Sequence, residues 1–489
     1  MFHFCLGFPF LLGLHCFPAQ IVVSAQNDTN CFVVWKARFT LPSGILIFDN
    51  LYLKDSLISI TARQKDKTLL LQTNLNFDTL SQLASKDARL EDEIWSGLVQ
   101  QTFVRVLHRN SFGNQDKLVL RISQPDTTYE LTAFNSDPVR PAHIFVKSRK
   151  NELFIALQPT ARHYHDSAKI LFWFISIPEM KIAHSEIVLA YEERLTEAID
   201  VFQSQGQIKM LHKVYNISPI EKRQFQPNYT FDITTFDPLS KDISVQKLPF
   251  RPGTYYLRAR CFTNEKIIAT TYGNLTHNKA LGYYLYSYDT GDSVHLPFNS
   301  SVIKESRLTR FEKPRTIAAL HPDLLWKDNQ GNLWLVGEQY YNKRVGSSGR
   351  ETIYSFHYGA VVISKYGPDF KLLEQSVIRK KQRSYNDMGQ QLSYNIVFRK
   401  GEPVVVFNHH KKHLRTSFRL FNNGRKPAQF ISAQNQKGVW VQSRIPQTGA
   451  EDLAILPQLI TRISVDQYLV MAARKRNLYI GYLYLTKQP

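Results

Sequence analysis

The chain has 489 residues, of which 61 are Lys or Arg and 41 are Asp or Glu, so its formal net charge is +20. Hydrophobic residues make up 43% and aromatic residues 12%, which excludes a disordered or low-complexity chain because enough apolar surface is present to form a core. Only four cysteines are present, which excludes a small disulfide-stabilised scaffold. The surplus of positive charge favours attraction to polyanions, or else simply keeps the protein soluble.

Residues 1–25 predict a secretory signal peptide. The segment is apolar, has no charged side chain and ends in three small residues at 23–25 before a polar run. Pro18 and Gln20 interrupt it, so a membrane-spanning helix is the poorer interpretation. The usual basic residue near the start is missing, since the first one is Lys36, and this leaves the true start codon open. We expect an exported protein that is periplasmic, associated with the outer envelope or secreted.

Short runs of β-branched and aromatic residues fill the remaining chain, and helical periodicity is nearly absent outside residues 81–90. One apolar run recurs eight times in the same context, usually preceded by another apolar run and a tight polar turn. Successive copies begin 46 to 71 residues apart. The copies are residues 57–60, 103–107, 153–157, 208–211, 267–270, 333–336, 404–407 and 468–471.

Four antiparallel strands repeated at this spacing are typical of a β-propeller blade. The sequence therefore predicts an all-β protein with a single β-propeller domain over residues 26–489, with eight four-stranded blades and seven as the alternative. The last blade lacks one strand, and residues 30–40 have no other partner, so we expect this N-terminal strand to close the ring by pairing with the last blade. The blades are expected at approximately 45–84, 92–135, 141–190, 195–248, 254–298, 315–378, 392–446 and 452–489.

Over most of its mature length the chain resembles exported, multi-bladed β-propeller proteins of bacteria whose function is not established. Residues 328–337 (DNQGNLWLVG) are similar to the D-x-x-G-x-L-W motif of periplasmic propeller repeats in two-component sensors. The motif occurs once here, whereas those sensors repeat it in most blades. The resemblance therefore implies a fold and no activity.

In a propeller, the loops between second and third strands and those between blades open on one face. Here these loops are long and rich in basic and aromatic residues, notably 339–358, 379–383 and 409–415. Long loops on a rigid scaffold commonly carry binding residues, and guanidinium groups beside aromatic rings suit acidic groups and sugars. The candidate ligand-binding residues are Tyr340, Tyr341, Lys343, Arg344, Arg350, His357, Arg379, Lys380, Lys381, Arg383, His409, His410, Lys411 and Lys412.

Catalytic and metal-binding patterns are weak. His163 and His165 lie in a different loop from the histidines near 409, and no H-E-x-x-H motif is present, so we predict no metal and no cofactor. No catalytic residue is predicted either. Glu338 and Asp387 are a candidate carboxylate pair only if the fold brings them together.

We therefore expect a non-catalytic binding module whose long-loop face holds an acidic polysaccharide or an envelope partner protein. One alternative is a lyase or hydrolase of polysaccharides with its site in the central funnel. Another is a structural or assembly protein with no small ligand. We expect a monomer with no transmembrane span and no nucleic-acid partner.

Overall fold

The computed structural model describes most of the chain after residue 21, and residues 1–21 of the predicted signal peptide lie outside it. The described residues are 22–27, 31–41, 47–54, 56–64, 67–86, 91–99, 102–109, 115–123, 126–134, 142–149, 151–159, 168–177, 179–189, 196–204, 206–215, 229–249, 254–274, 279–306, 317–348, 351–385, 387–410, 421–422, 427–434, 439–449, 453–474 and 477–485.

After the N-terminal strands β1 (Val22–Asn27) and β2 (Phe32–Thr40), the chain forms four separate sheets of four antiparallel strands each. Within each sheet, spatial order follows chain order, because strands that follow one another in the chain pair with one another. Sheet 1 is β3 (Ile47–Lys54), β4 (Leu57–Gln64), β5 (Lys67–Asn74) and β6 (Thr79–Lys86); sheet 2 is β7 (Glu91–Val99), β8 (Thr102–Arg109), β9 (Asp116–Ser123) and β10 (Asp126–Phe134). Sheet 3 is β11 (His143–Arg149), β12 (Glu152–Gln158), β13 (Ala168–Ser176) and β14 (Lys181–Leu189); sheet 4 is β15 (Thr196–Ser204), β16 (Gln207–Tyr215), β17 (Tyr229–Phe236) and β18 (Ile243–Lys247).

The second part of the chain repeats this plan with additions. Sheet 5 is β19 (Thr254–Phe262), β20 (Ile267–Asn274), β22 (Gly282–Ser287) and β23 (Ser293–Pro297), with the short β21 (Lys279–Ala280) pairing outside it with β24 (Ile317–Ala318). Helix α1 (Ser300–Glu305) precedes β24. Sheet 6 is β25 (Leu320–Lys327), β26 (Leu333–Ser348), β27 (Glu351–Tyr366) and β28 (Leu372–Ile378), and β27 also pairs with β29 (Gln382–Tyr385).

The last two sheets include the N-terminal strands. Sheet 7 is β30 (Tyr394–Arg399), β31 (Glu402–His410), β33 (Pro427–Gln434) and β34 (Trp440–Arg444), and β1 pairs in parallel with β34 at its edge. A short strand, β32 (Phe421–Asn422), lies between β31 and β33 in the chain and pairs with β29. Sheet 8 is β36 (Thr461–Ser464), β37 (Gln467–Arg474), β38 (Asn477–Tyr484) and β2, with β35 (Gln447–Thr448) outside β2 and a 3-10 helix at Pro457–Leu459 before β36.

The pairing of β2 with β38 joins the two ends of the described chain. It is antiparallel and runs from Phe32 opposite Tyr484 to Thr40 opposite Asn477. Gly481 allows the two backbones to approach closely, because a Cβ atom at this position would lie 2.3 Å from the Val34 carbonyl oxygen. β1 includes the predicted cleavage point after Ala25, which is therefore a position within a strand in the uncleaved chain.

Sheets 3 to 8 each contribute to two hydrophobic cores, one on each face, and sheets 1 and 2 each contribute to one among the described residues. In β12, Leu153 and Ile155 face a core shared with sheet 2, whereas Phe154 and Ala156 face a core shared with sheet 4. Side chains alternate along a strand, so a strand buried on both faces is apolar at most positions. The eight recurring apolar runs are segments of the second strands of the eight sheets for this reason.

Sheet 8 packs against two sheets that are far apart in the chain. Tyr468 and Val470 of β37 face a core shared with sheet 7, and Leu469 and Met471 face a core shared with sheet 1. Shared cores also join sheets 2 through 7 in succession. The first strands of sheets 1 and 2, β3 and β7, are in contact.

The prediction of an all-β chain built of four-stranded antiparallel sheets is confirmed. Two local predictions are wrong. Residues 81–86, where helical periodicity was expected, belong to strand β6, which pairs with β5 at the edge of sheet 1. Residues 339–348 and 351–358 are strands and not a loop: β26 and β27 have 16 residues each and pair with one another well beyond sheet 6.

Candidate functional site

The hairpin of β26 and β27 carries a small additional sheet, which we call the raised sheet. It consists of residues 340–348 of β26, residues 351–358 of β27, and strands β29 and β32. A bulge between Glu338 and Tyr340 marks the point where β26 leaves sheet 6. Because β29 follows sheet 6 and β32 lies within the segment of sheet 7, the raised sheet draws on segments of two neighbouring sheets.

The inner face of the raised sheet is packed against the rest of the protein. Tyr340 lies opposite Tyr358, with 4.8 Å between the ring centroids. Phe356 is buried in a small core with Leu392 and Phe421. This apolar side anchors the raised sheet and leaves its other side open to solvent.

The outer face carries basic and aromatic side chains in two cross-strand rows. Tyr341, His357 and Arg383 form one row, because His357 lies opposite both of the others in the strand register. Two residues further along, Lys343, Ser355 and Tyr385 form the second row. Side chains two residues apart in a strand share a face, so the two rows form one surface. The outer face is defined here as Tyr341, Lys343, His357, Arg383 and Tyr385.

Aromatic and cationic groups on the outer face are held in place by one another. The rings of Tyr341 and His357 are stacked, with centroids 4.6 Å apart and planes 5° apart. The guanidinium carbon of Arg383 lies 4.5 Å from the ring centroid of Tyr385. Tyr341 is 40% exposed and Tyr385 is 39% exposed, so both side chains reach the protein surface.

The outer face is electrostatically positive. The pKa of His357 is lowered, first by burial and then by the charges of Arg383, Lys343 and Lys381. Within the described part of the chain, no carboxylate forms a salt bridge with these three cations. The field of the three cations is therefore available to an anion from solution.

A second group of polar side chains lies on the first strands of sheets 3 to 7. We call it the inner-strand cluster: His143 of β11, Glu197 of β15, Arg258 and Arg260 of β19, His321 and Asp323 of β25, and Tyr394 of β30. The first strands β11, β15, β19 and β25 contact one another in that order. Electrostatic interactions connect the members of the cluster. Glu197 interacts with His143, Arg258 with His321, and Arg260 with Asp323.

Asp323 is an acid of this cluster whose carboxyl group is hydrogen-bonded and has a shifted pKa. It sits at a bulge between Pro322 and Leu324, and its side chain is half-buried. The Tyr394 hydroxyl donates a hydrogen bond to Asp323 Oδ2 over 3.2 Å. Burial, and then the nearby Glu338, raise the pKa of Asp323 to about 8, so the carboxyl is largely protonated at neutral pH.

Behind Asp323 lies a buried ion pair. Lys380 Nζ donates to Glu338 and, over 2.8 Å, to Gln382 Oε1. The Ser393 hydroxyl donates to the other Glu338 oxygen over 2.5 Å. Burial raises the pKa of Glu338 and lowers that of Lys380, while their mutual attraction opposes both shifts. Glu338 and Lys380 are both 3% exposed, and their charges are paired with each other within the protein.

His321 is the candidate base of the cluster. Its Nε2 lies 3.2 Å from the Tyr340 carbonyl oxygen, a distance that fits a hydrogen bond donated by Nε2–H. In that tautomer Nδ1 has a free lone pair. Burial, followed by the charge of Arg258, lowers the pKa of His321 to about 4, so the imidazole is neutral at pH 7.

The binding residues predicted from the sequence do not all lie on one surface in the structure. Tyr341, Lys343, His357 and Arg383 share the outer face, and Arg344 is exposed beside them. Lys380 was expected in an exposed basic run but is buried against Glu338, and His409 is buried between the backbone amides of Lys381 and His410. The half-buried residues are Tyr340, Arg379, Lys381 and His410. Arg350, Lys411 and Lys412 lie outside the described residues.

The inner-strand cluster was not predicted from the sequence. One signal is visible in retrospect, which is the polar residue at every second position in Arg258-Ala259-Arg260 of β19 and His321-Pro322-Asp323 of β25. Nothing in the sequence indicates that these strands lie side by side. Glu338 and Asp387, the carboxylate pair considered from the sequence, lie near the same tyrosine, since both raise the pKa of Tyr358.

No group of three His, Cys, Asp or Glu residues arranged to hold a metal ion occurs among the described residues. Helices in the same part of the chain are all too short or too polar to cross a membrane.

Solved β-propeller structures resemble this fold at low sequence identity. The β-propeller domain of the Trilobed protease from Pyrococcus furiosus is 10% identical, over 83% of this chain and 99% of that chain, with a TM-score of 0.38. The WD40 domain of SCAP from fission yeast is 9% identical, over 92% and 98%, with a TM-score of 0.43. The polysaccharide lyase Uly1 is 10% identical, over 94% and 98%, with a TM-score of 0.37. These likenesses concern the fold and carry no argument about activity. No model of a protein family and no curated protein matches the sequence.

Proposed function

We propose that this protein is an exported, monomeric, eight-bladed β-propeller that binds acidic polysaccharide on the outer face of its raised sheet. Each of the eight sheets is one blade, and the ring closes where sheet 8 meets sheet 1. The chemistry of the outer face carries the binding part of this proposal.

The packing around sheet 8 supports a closed ring. An open arc of sheets would leave the free faces of sheets 1 and 8 in contact with water. Instead Leu469 and Met471 share a core with Ile58 and Ile60 of sheet 1. Strand β2 completes the last blade from the N-terminal side, which covers an edge that would otherwise be free to pair with another chain.

The outer face combines the two chemistries that an acidic sugar needs. Tyr341, stacked on His357, and Tyr385, beneath Arg383, present ring surfaces on which the C–H groups of a sugar can pack. Arg383 and Lys343 supply charge-assisted hydrogen bonds for carboxylate or sulfate groups. The single observation that carries the proposal is this pairing of exposed rings with cations that no described carboxylate neutralises.

Direct binding measurements with defined polymers test the proposal. Isothermal titration with polygalacturonate as the probe should give binding that weakens as salt is raised, because exposed charges are screened over about 10 Å at 0.1 M ionic strength. A neutral glucan of similar length should not bind. Equal binding of both polymers, or none of polygalacturonate, contradicts the proposal.

Matched lysine variants locate the binding surface. Lys343→Gln on the outer face should weaken binding by about three- to tenfold, the equivalent of about 1 kcal/mol. Lys371→Gln removes the same charge from an exposed lysine in the turn between β27 and β28, and should leave the affinity unchanged. If both variants bind with wild-type affinity while the wild type binds tightly, the ligand lies on another surface. Retention of an envelope protein by the wild type and not by Lys343→Gln, without polysaccharide binding, would replace the glycan with a protein partner.

A further inference from the structure

The inner-strand cluster has features that polysaccharide binding on the outer face does not require. It places a half-buried acid, Asp323, and a half-buried neutral imidazole, His321, on one strand with a single residue between them. Arg258 and Arg260, on the neighbouring strand β19, are exposed. Tyr340 and Tyr358 on the inner face of the raised sheet lie beside the cluster, which places the cluster next to the raised sheet.

We propose that the inner-strand cluster cleaves uronic-acid-containing glycans by β-elimination, with His321 as the base and Asp323 as the acid. The inference rests on the proposed function, because it takes the acidic polysaccharide bound by the raised sheet as its substrate.

The arginines suit the carboxylate of a uronic acid residue. Neither Arg258 nor Arg260 forms a salt bridge with a carboxylate within the described ranges, and both side chains are exposed. A guanidinium group binds a carboxylate through two parallel hydrogen bonds. Such binding withdraws charge from the carboxylate and stabilises the negative charge that develops when the adjacent C5 proton leaves.

The step balances without water or any other co-reactant. His321 Nδ1 takes the proton from C5, and the electron pair of that C–H bond forms the C4=C5 double bond. The bond between C4 and the glycosidic oxygen breaks, and its electron pair stays on that oxygen. The Asp323 carboxyl gives its proton to the oxygen, so one chain end is a free hydroxyl and the other is an unsaturated uronate. A proton passing from His321 to Asp323 through solvent restores the starting state.

Elimination fits the cluster better than hydrolysis does. Glycoside hydrolysis uses two carboxyl groups that face the substrate about 5–10 Å apart, one of which is ionised. Glu338 is bound by Lys380 and Ser393 and is 3% exposed. Glu197 accepts a hydrogen bond from the Tyr215 hydroxyl over 2.8 Å and lies 3.6 Å from Lys213 Nζ. Both carboxylates are engaged, which leaves Asp323 as an acid without a second carboxyl partner.

The protonation states support these roles. Environments that move the pKa values of two neighbouring groups in opposite directions identify the acid and the base of a site. Here the pKa of Asp323 is raised to about 8 and that of His321 is lowered to about 4, so both groups are neutral at pH 7. Part of the His321 shift comes from Arg258. A substrate carboxylate that pairs with Arg258 removes this part and makes His321 a stronger base once substrate is bound.

A buried hydroxyl borders the same place. Tyr283 is fully buried, and its hydroxyl has no hydrogen-bond partner among the described residues. Asp323 is one of the groups that raise its pKa, which places the hydroxyl near the acid. Burying a donor without a partner is costly, so this hydroxyl is a polar group next to Asp323 that no described residue satisfies.

The assay uses the full chain and three polymers: polygalacturonate, alginate and a neutral glucan. Elimination is followed by the ultraviolet absorbance of the C4=C5 double bond. Mass spectrometry of products made in oxygen-18 water separates it from hydrolysis, because hydrolysis adds the labelled oxygen and elimination does not. We expect unsaturated, unlabelled products from at least one acidic polymer and none from the glucan.

Three variants test the assigned residues. Asp323→Asn and His321→Gln should each lower kcat by about a hundredfold or more, which is the usual contribution of an acid or a base. Asp369→Asn, in the exposed turn between β27 and β28, is the matched control and should retain full activity. Circular dichroism and thermal melts of all three show whether each is folded.

Tyr394→Phe gives a readout that a purely structural role does not. Tyr394 donates to Asp323, whose other charged neighbours are Glu338, Arg260 and Lys380. Removing the phenol hydroxyl takes away a hydrogen bond that lowers the pKa of Asp323, so the basic limb of the kcat profile should move to higher pH. A loss of kcat with an unchanged pH profile counts against Asp323 as the acid.

The outcomes separate the two proposals. Binding of polygalacturonate and alginate without cleavage overturns this inference and leaves the proposed function standing. Labelled products, or an Asp323→Asn variant as active as the wild type, also overturn it. Cleavage that does not depend on Lys343 supports the inference while contradicting the proposed binding surface. Neither binding nor cleavage of any acidic polymer refutes both.

Discussion

Lys343 and Lys380 are carried by the same part of the protein, yet they are in opposite physical states. Lys343 is exposed on the outer face of the raised sheet, where no described carboxylate pairs with it. Lys380 is 3% exposed and binds Glu338 and Gln382. A basic residue is therefore available to a ligand only where the fold has not already supplied its counter-charge. The outer face and the region behind Asp323 both contain a lysine, but only the region behind Asp323 also contains its counter-charge.

The largest expected effect is on the buried pair. Lys380→Met leaves Glu338 without its cation in a buried site, which should lower the free energy of unfolding by about 3–5 kcal/mol. Urea denaturation followed by circular dichroism measures the change. The double variant Lys380→Met with Glu338→Leu should recover part of the loss, since no charge is then left unpaired. A single variant as stable as the wild type would mean that the pair is not buried in solution.

A smaller and pH-dependent effect is expected at Asp323. Its pKa is raised from 3.8 to about 8 in the folded protein, so the folded state prefers the protonated form. Its contribution to stability is fully present below about pH 4 and is lost progressively as pH rises through 8, because the unfolded chain ionises first. Asp323→Asn removes this dependence and should be more stable than the wild type at pH 8 by about 1–3 kcal/mol. Equal melting temperatures of the two proteins across this pH range would contradict the raised pKa.

The opposite sign is expected at Asp328, in the turn between β25 and β26. Its carboxylate accepts hydrogen bonds from the amides of Gln330 and Asn332 and from Trp334 Nε1. Its pKa is lowered from 3.8 to about 2 although burial acts in the other direction, because these hydrogen bonds stabilise the charged form. Stability from this group is present above pH 4 and is lost as pH falls through 2. Thermal melts should therefore show Asp328→Asn losing less stability than the wild type between pH 4 and pH 2.

Much of the architecture was predictable because a strand that lies between two cores is apolar at most positions. The run at 153–157 is continuous for this reason, and its counterparts recur at the spacing of the sheets. The raised sheet was mistaken for a loop because the residues of its outer face are polar and basic, which hides the alternation with Tyr340, Phe356 and Tyr358.

The candidate sites were predictable to different degrees. Four residues of the outer face were candidates from the sequence, since Tyr341, Lys343, His357 and Arg383 lie in basic and aromatic segments. Their common face depends on the register between β27 and β29, which no local pattern reveals. Asp323 was missed because its neighbours Arg260, Glu338 and Tyr394 come from three different sheets, and because a bulge directs its side chain.

The smallest expected effect is the sharpest test of the difference between the two lysines. Lys343→Gln should change the free energy of unfolding by less than about 0.5 kcal/mol, because the side chain is exposed and makes no ion pair with a described residue. In the same protein preparation it should weaken binding to polygalacturonate and reduce the dependence of that binding on salt. Measuring both the stability and the affinity distinguishes a residue that binds the ligand from one that stabilises the fold. If Lys343→Gln destabilises the protein as Lys380→Met is expected to, then its charge is compensated within the fold, and the outer face is not a free cationic surface.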